Sequence, residues 1–236
     1  MSISKNEIKQ ICSLHQKKFR DESGLFIVEG EKMVSEAIAS DFEVVKVYRR
    51  ENIGDEAMDR ISAFSSGSPV LAVVKRKKWD DSFNPDGLYI GLDSVRDPGN
   101  FGTIMRVADW YGIDGIYASK NCVELENPKT VQSTMGAIFR VKVIYCDLAE
   151  TCDKFIRAGK NIYGTFLEGD NIYTSNLDTT GLIIMGNEAN GISDAIAEKV
   201  SNRLTIPSFG GFAESLNVAM ATGITVSEFK RRTLFV

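Results

Sequence analysis

From residue 88 onward the chain repeats one pattern: a short, continuously apolar run, a polar turn, then a segment with helical spacing. The apolar runs fall at 88–92, 115–118, 141–145, 161–165 and 182–185, with a shorter one at 203–206. The helical segments fall near 101–111, 128–138, 148–158, 193–199 and 215–231. A strand covered on both faces reads as uninterrupted apolar sequence, since neither side meets water. A helix between successive strands supplies the crossover that parallel pairing needs. The pattern therefore predicts an α/β fold with a parallel sheet covered on both faces. Such sheets place their sites in the turns beyond the strand ends.

The first 75 residues alternate on a smaller scale. Helices are expected at 4–18, 30–39 and 55–64, and strands at 25–28, 44–48 and 70–74. Residues 1–78 thus read as a small α/β domain near the lower size limit for independent folding. Residues 79–87, polar with Pro85 and Gly87, read as a linker, and 88–236 as the larger domain. No apolar run approaches the roughly 20 residues that span a bilayer. Met1-Ser2-Ile3-Ser4-Lys5-Asn6-Glu7 lacks the apolar core of a signal peptide, so a cytoplasmic protein is expected.

Three polar, glycine-containing turns stand out. Asp97-Pro98-Gly99-Asn100-Phe101-Gly102 leads into the helix that carries Arg106. Met185-Gly186-Asn187-Glu188-Ala189-Asn190-Gly191 follows an apolar strand. Ile206-Pro207-Ser208-Phe209-Gly210-Gly211-Phe212-Ala213-Glu214-Ser215-Leu216-Asn217 joins the last strand to the last helix. Loops of this kind can wrap a ligand with main-chain N–H groups. Ser215 is the expected N-cap of the last helix. Asn217 is a mediocre helix former at a position expected to be helical. Arg106, expected near a helix start, would sit at the unfavourable end of the dipole. Ala219, Ala221 and Gly223 permit close helix contact, within the chain or across a dimer.

Several chemistries are excluded or weakened. Gly186 and Gly191 have P-loop spacing, but Ile192 stands where the phosphate-holding lysine belongs. The glycine order also fails the dinucleotide fingerprint. His15 is the sole histidine and lies near the N-terminus, which removes a histidine base from the C-terminal half. Cys12, Cys122, Cys146 and Cys152 form no C-x-x-C pair, so no metal site is expected. The net charge is −4, but residues 1–78 hold 14 Lys/Arg against 12 Asp/Glu, and the remainder 14 against 20. The basic residues cluster at Lys17-Lys18-Phe19-Arg20, Arg49-Arg50 and Lys75-Arg76-Lys77-Lys78, a pattern suited to phosphate contacts.

Taken together, the three turns resemble the motifs of the SpoU (TrmH-type) branch of the SPOUT RNA methyltransferases. Residues 97–106, 184–192, and 206–207 with 214–218 match in order, and Ser133-Thr134-Met135-Gly136-Ala137 also fits. Residues 19–32 resemble the small ribosomal-protein-like domain that many of these enzymes use to grip RNA. The loop from Pro207 to Ser215 is one residue longer than the commonest form.

The resemblance implies a deep trefoil knot in the C-terminal domain and a homodimer with its site near the interface. It implies S-adenosyl-L-methionine held around Gly186, Asn187, Gly191, Ile206 and Leu216. It further implies 2′-O-methylation of a ribose in rRNA; the alternatives are tRNA, or a non-catalytic RNA-binding protein on the same fold. A base N-methyltransferase of another SPOUT branch would be expected to carry a different arginine and an aspartate base. The implied catalytic set is Arg106, Asn100, Glu188, Ser215 and Asn217, with no metal. In the family proposal Arg106 is the base; a clamp on phosphate and developing alkoxide is the other role open to a guanidinium.

Overall fold

Six parallel strands in the order β6-β5-β4-β8-β7-β9 carry the C-terminal two-thirds of a computed structural model, which describes residues 3–64, 67–210 and 214–234. Numbered along the chain, the N-terminal elements are α1 (Lys5–Ser13), α2 (Lys17–Ser23), β1 (Leu25–Glu29), α3 (Glu31–Ala39), β2 (Val44–Arg49), α4 (Arg50–Ile53), α5 (Asp55–Ile61) and β3 (Val70–Lys75). There follow β4 (Leu88–Leu92), α6 (Pro98–Tyr111), β5 (Gly115–Ser119), α7 (Pro128–Ser133), β6 (Val143–Cys146), α8 (Leu148–Arg157) and β7 (Ile162–Asn171). The chain closes with β8 (Gly181–Met185), α9 (Asp194–Ala197), β9 (Asn202–Thr205) and α10 (Val218–Thr233). Gly211, Phe212 and Ala213, which the sequence places in the last loop, lie outside the described residues.

The chain divides into two units, one taking Glu124–Arg140 together with the chain up to Lys78, the other Trp79–Val123 and the chain from Val141 onward. In the first, β1, β3 and β2 form an antiparallel sheet. Ile8, Ile11 and Leu14 pack with Ile27, Leu71, Met58 and Ile61 on one face. The expected helix 4–18 is two helices, because α1 is capped by Leu14 and α2 starts only at Lys17. His15 falls between them, half-buried, with its ring 2.9 Å from the Ile61 carbonyl.

The basic clusters of this unit are paired within it. Arg20 is only 2% exposed and binds both carboxylate oxygens of Glu124 and the Leu14 carbonyl. Arg76 joins Asp21 and Glu124, Arg49 joins Glu31, and Arg50 joins Asp55 and Asp59. Lys75 and Lys77 pair with Glu43 and Asp41. The expected phosphate-binding runs are therefore largely neutralised by their own carboxylates. The helix expected at 128–138 stops at Ser133, since Met135 (φ 50°) and Gly136 (φ 102°) turn the backbone left-handed before a 3-10 turn at Ala137–Phe139.

In the second unit β4 and β8 lie centrally and are buried along their whole lengths. Tyr89, Tyr117, Leu148, Phe155, Ile162 and Ile184 build the core on one face. α6 and α10 pack against each other, and a Cβ on Gly223 would lie 3.8 Å from Val107. The small residues of α10 thus admit α6 of the same chain. No helix among the described residues is long and apolar enough to cross a membrane.

Candidate active site

The strands being parallel, the turns after β4, β8 and β9 leave the sheet at the same edge. The turn after β4 begins with Asp93, whose amide extends the ladder to Met185 O at 2.9 Å. Its carboxylate is 5% exposed; Oδ2 accepts from Ser193 N at 2.8 Å and Oδ1 from Ser94 Oγ at 3.2 Å. Ser94 is left-handed (φ 59°), an uncommon state for a residue with a side chain. It is held there by its amide on Ser119 Oγ and its carbonyl under Asn187 Nδ2, at 2.9 and 2.7 Å.

The turn after β8 closes on itself. Asn187 and Gly191 exchange backbone hydrogen bonds of 2.8 and 2.9 Å, and Asn187 Oδ1 accepts from the amides of Ala189 and Asn190. A Cβ on Gly186 would lie 2.3 Å from the Gly191 carbonyl carbon, so only glycine fits. Glu188 then projects back to the β4 turn. Its Oε1 accepts from Asn100 Nδ2 at 3.0 Å and Asp97 N at 3.3 Å, and Oε2 from Asn187 Nδ2 at 3.4 Å. Packing around this carboxylate opposes its charge. The Asn100 amide, its own N–H and those of Asp97 and Arg96 outweigh that and hold its pKa below the usual carboxylate range.

Asn100 lies in the first turn of α6, which Asp97 caps through the Asn100 amide at 2.7 Å and Pro98 opens. Its side-chain oxygen accepts from Asn217 Nδ2 at 2.9 Å. Asn217, not Ser215, is the N-cap of α10: its Oδ1 accepts from Ala219 N and Met220 N. A polar relay thus runs from Glu188 through Asn100 to Asn217, across three turns far apart in sequence.

Of the expected site residues, the structure brings together Asn100, Glu188, Asn217, Asn187, Gly186 and Gly191. Arg106 is the ninth residue of α6, well past its first turn, so the dipole objection lapses. It is exposed and hydrogen-bonds to none of the others. Ser215 and Leu216 are exposed and Ile206 half-buried; among the described residues Ser215 makes no side-chain hydrogen bond. Asp93, Ser94 and Ser193 escape the sequence reading. The signal was an acidic-hydroxyl pair directly after an all-apolar strand. Burial raises the Cys122 and Cys146 thiols and pushes Cys152 up to about 12, so none is a ready nucleophile.

The SpoU rRNA methylase family model matches residues 87–227, which contain all three turns. The chain belongs to that family. An MRM3-like substrate binding domain matches residues 5–80. The 23S rRNA (guanosine(2553)-2′-O)-methyltransferase RlmP of Bacillus subtilis is 28% identical, over 95% of this chain and 96% of its own length. An RNA methyltransferase of the TrmH family from Porphyromonas gingivalis superposes with a TM-score of 0.89 at 34% identity, over 98% of this chain and all of that one. An AdoMet-bound rRNA methyltransferase from Sinorhizobium meliloti superposes at 0.88 with 28% identity, over 98% and 97%.

Proposed function

We propose that the protein methylates the 2′-hydroxyl of a ribose in rRNA, using S-adenosyl-L-methionine, as a homodimer in the cytoplasm where ribosomes are assembled. The Glu188–Asn100–Asn217 relay carries this reading, because it ties all three family turns into one preorganised edge. The turns suit the cofactor. Ile206 and Leu216 offer apolar side chains beside main-chain polar groups, the combination that recognises an adenine, and Gly186 keeps the floor of the β8 turn tight. The cofactor brings an electrophilic methyl on a sulfonium, to be displaced in line by the ribose oxygen. What remains for the chain is orientation and the handling of one proton.

Arg106 grips the phosphate beside the target ribose and stabilises the developing alkoxide. A guanidinium holds its proton firmly and presents a fork of N–H donors, so this role suits it better than that of base. Arg106 has no ion-pair partner among the described residues and is open to such a ligand. Asn100 and Asn217 hold the N-termini of α6 and α10 in register, and Glu188 fixes the turn that leads into α6. Ser215 orients ribose or cofactor. The trefoil knot belongs to this reading, as does the dimer. Trp110 on α6 is 85% exposed and Met220 on α10 is 61% exposed, apolar side chains for a second copy to cover. The N-terminal unit, which matches a substrate binding domain, takes the RNA through surfaces other than its paired basic runs.

The test is methyl transfer from labelled S-adenosyl-L-methionine to rRNA from a strain lacking the gene, with 2′-O-methyl mapping of total RNA. A single missing rRNA methyl, restored by the protein, is expected. Transfer to tRNA alone would move the substrate to tRNA. Failure to bind the cofactor would overturn the assignment.

A further inference from the structure

β7 outruns its neighbours. It pairs with β8 only over Ile162–Gly164, yet continues to Asn171. Against β9 its register jumps: Thr165 and Asp170 both oppose Leu204, so the four residues between them arch out of the ladder. Like a bulge, though longer, such an insertion breaks the ladder and turns side chains away from the sheet. The arch is built rather than loose. Thr205 Oγ1 donates to Leu167 O at 3.0 Å, and a Cβ on Gly169 would lie 2.7 Å from Arg203 O. Leu167 at its crest is 74% exposed. The Arg203 guanidinium lies over the Phe166 ring, 3.6 Å from its centroid. Arg203 is exposed and among the described residues has no carboxylate partner.

The place matters as much as the geometry. β7 lies between β8 and β9, and its arch leaves the sheet at the same edge as the Gly186–Gly191 and Ile206–Gly210 turns. One face of a guanidinium stacked on a ring is covered, while the other stays open to a second flat π-system. Unstacked RNA bases are recognised on such planes. Glu168 lies within the arch and Asp170 closes it. Their charge disfavours a phosphate and leaves the base as the fitting partner.

We infer that Arg203, seated on Phe166, is a stacking platform for an unpaired base of the substrate RNA beside the methylated nucleotide. This rests on the RNA methyltransferase reading above. The variants are Arg203→Ala and Arg203→Lys in the full chain, assayed on rRNA from the deletion strain. RNA KM, kcat, cofactor affinity by calorimetry and retention of labelled rRNA on filters are measured for each.

Both variants are expected to raise RNA KM and weaken retention about tenfold, in the range of one lost base stack. Cofactor affinity and melting temperature stay unchanged. Lysine does not rescue, because an ammonium keeps the charge but loses the plane. Rescue by lysine would make Arg203 a phosphate contact and overturn the inference. So would a loss of cofactor affinity, or wild-type RNA retention in both variants. Filter retention reads this without turnover, so an inactive wild type would sink the functional assignment and still decide the platform.

Discussion

Asn217 donates its side-chain amide to Asn100 Oδ1 at 2.9 Å while its own oxygen caps α10. One side chain therefore does two separable things. It supplies an acceptor to the Ala219 and Met220 amides, and a donor to the residue that holds Glu188.

Asn217→Asp separates them. A carboxylate still caps the helix and suits its dipole, but cannot donate to Asn100. The melting temperature is expected to stay within about 1 °C of wild type, below the roughly 2–4 °C that a lost cap of about 1 kcal/mol would shift a chain of this length. Methyl transfer is expected to fall at least tenfold, the effect of about 1.4 kcal/mol in the transition state. Wild-type activity in this variant would show that Asn217 acts only as a cap.

Arg106→Ala is expected to abolish transfer while S-adenosyl-L-methionine affinity stays within a few-fold. Arg106 stands on α6 and, among the described residues, makes no hydrogen bond to the turns after β8 and β9. Calorimetric titration beside a transfer assay checks both halves. Full activity in the variant would remove Arg106 from the site.

The pH dependence of Glu188 has a definite sign. Its carboxyl titrates below the ordinary value in the folded chain, so ionisation favours the native turn. That stabilisation is present in full above the unfolded value of about 4.3 and is lost as pH falls through the lower folded one. Glu188→Gln is expected to be less stable than wild type at pH 7, with the gap closing below about pH 4. Thermal melts of both proteins from pH 3 to 8 measure it. A gap independent of pH would mean that the charge plays no part.

The parallel sheet was legible because β4 and β8 are apolar from end to end, which only two-sided burial explains. Asn100, Glu188 and Asn217 were legible as members of glycine-rich turns. Their relay was not, since residues 88 and 117 positions apart become neighbours only through strand order. Placing the N-cap at Ser215 failed for a local reason: Ser and Asn are both good caps, and α10 begins only at Val218, two residues further on. The basic clusters misled because a run shows its charges but not their partners. Arg20 meets Glu124 from 104 positions away. Met135 broke a helix at a residue with no turn propensity, and the left-handed Gly136 beside it was the only sign.

The Arg20–Glu124 pair also governs what truncation does. Glu124–Arg140 follows β5 in the chain, yet it packs with the N-terminal unit. Phe139 meets Phe42 edge-on at 5.1 Å, Arg140 pairs with Glu36, and Glu124 takes both Arg20 and Arg76. Deleting residues 1–78 would strip all of these partners at once and expose Val131, Ile138 and Phe139, now buried. The truncated chain is expected to be cleaved first within 124–140 under limited proteolysis. Replacing that segment by a Gly-Ser linker in the same truncation is expected to restore protease resistance. In the full chain, Glu124→Ala leaves Arg20 buried and short of its partner, at a cost of about 3 kcal/mol or more in a denaturant melt. A truncated protein as resistant as the full chain would show that Glu124–Arg140 holds its structure without the N-terminal unit.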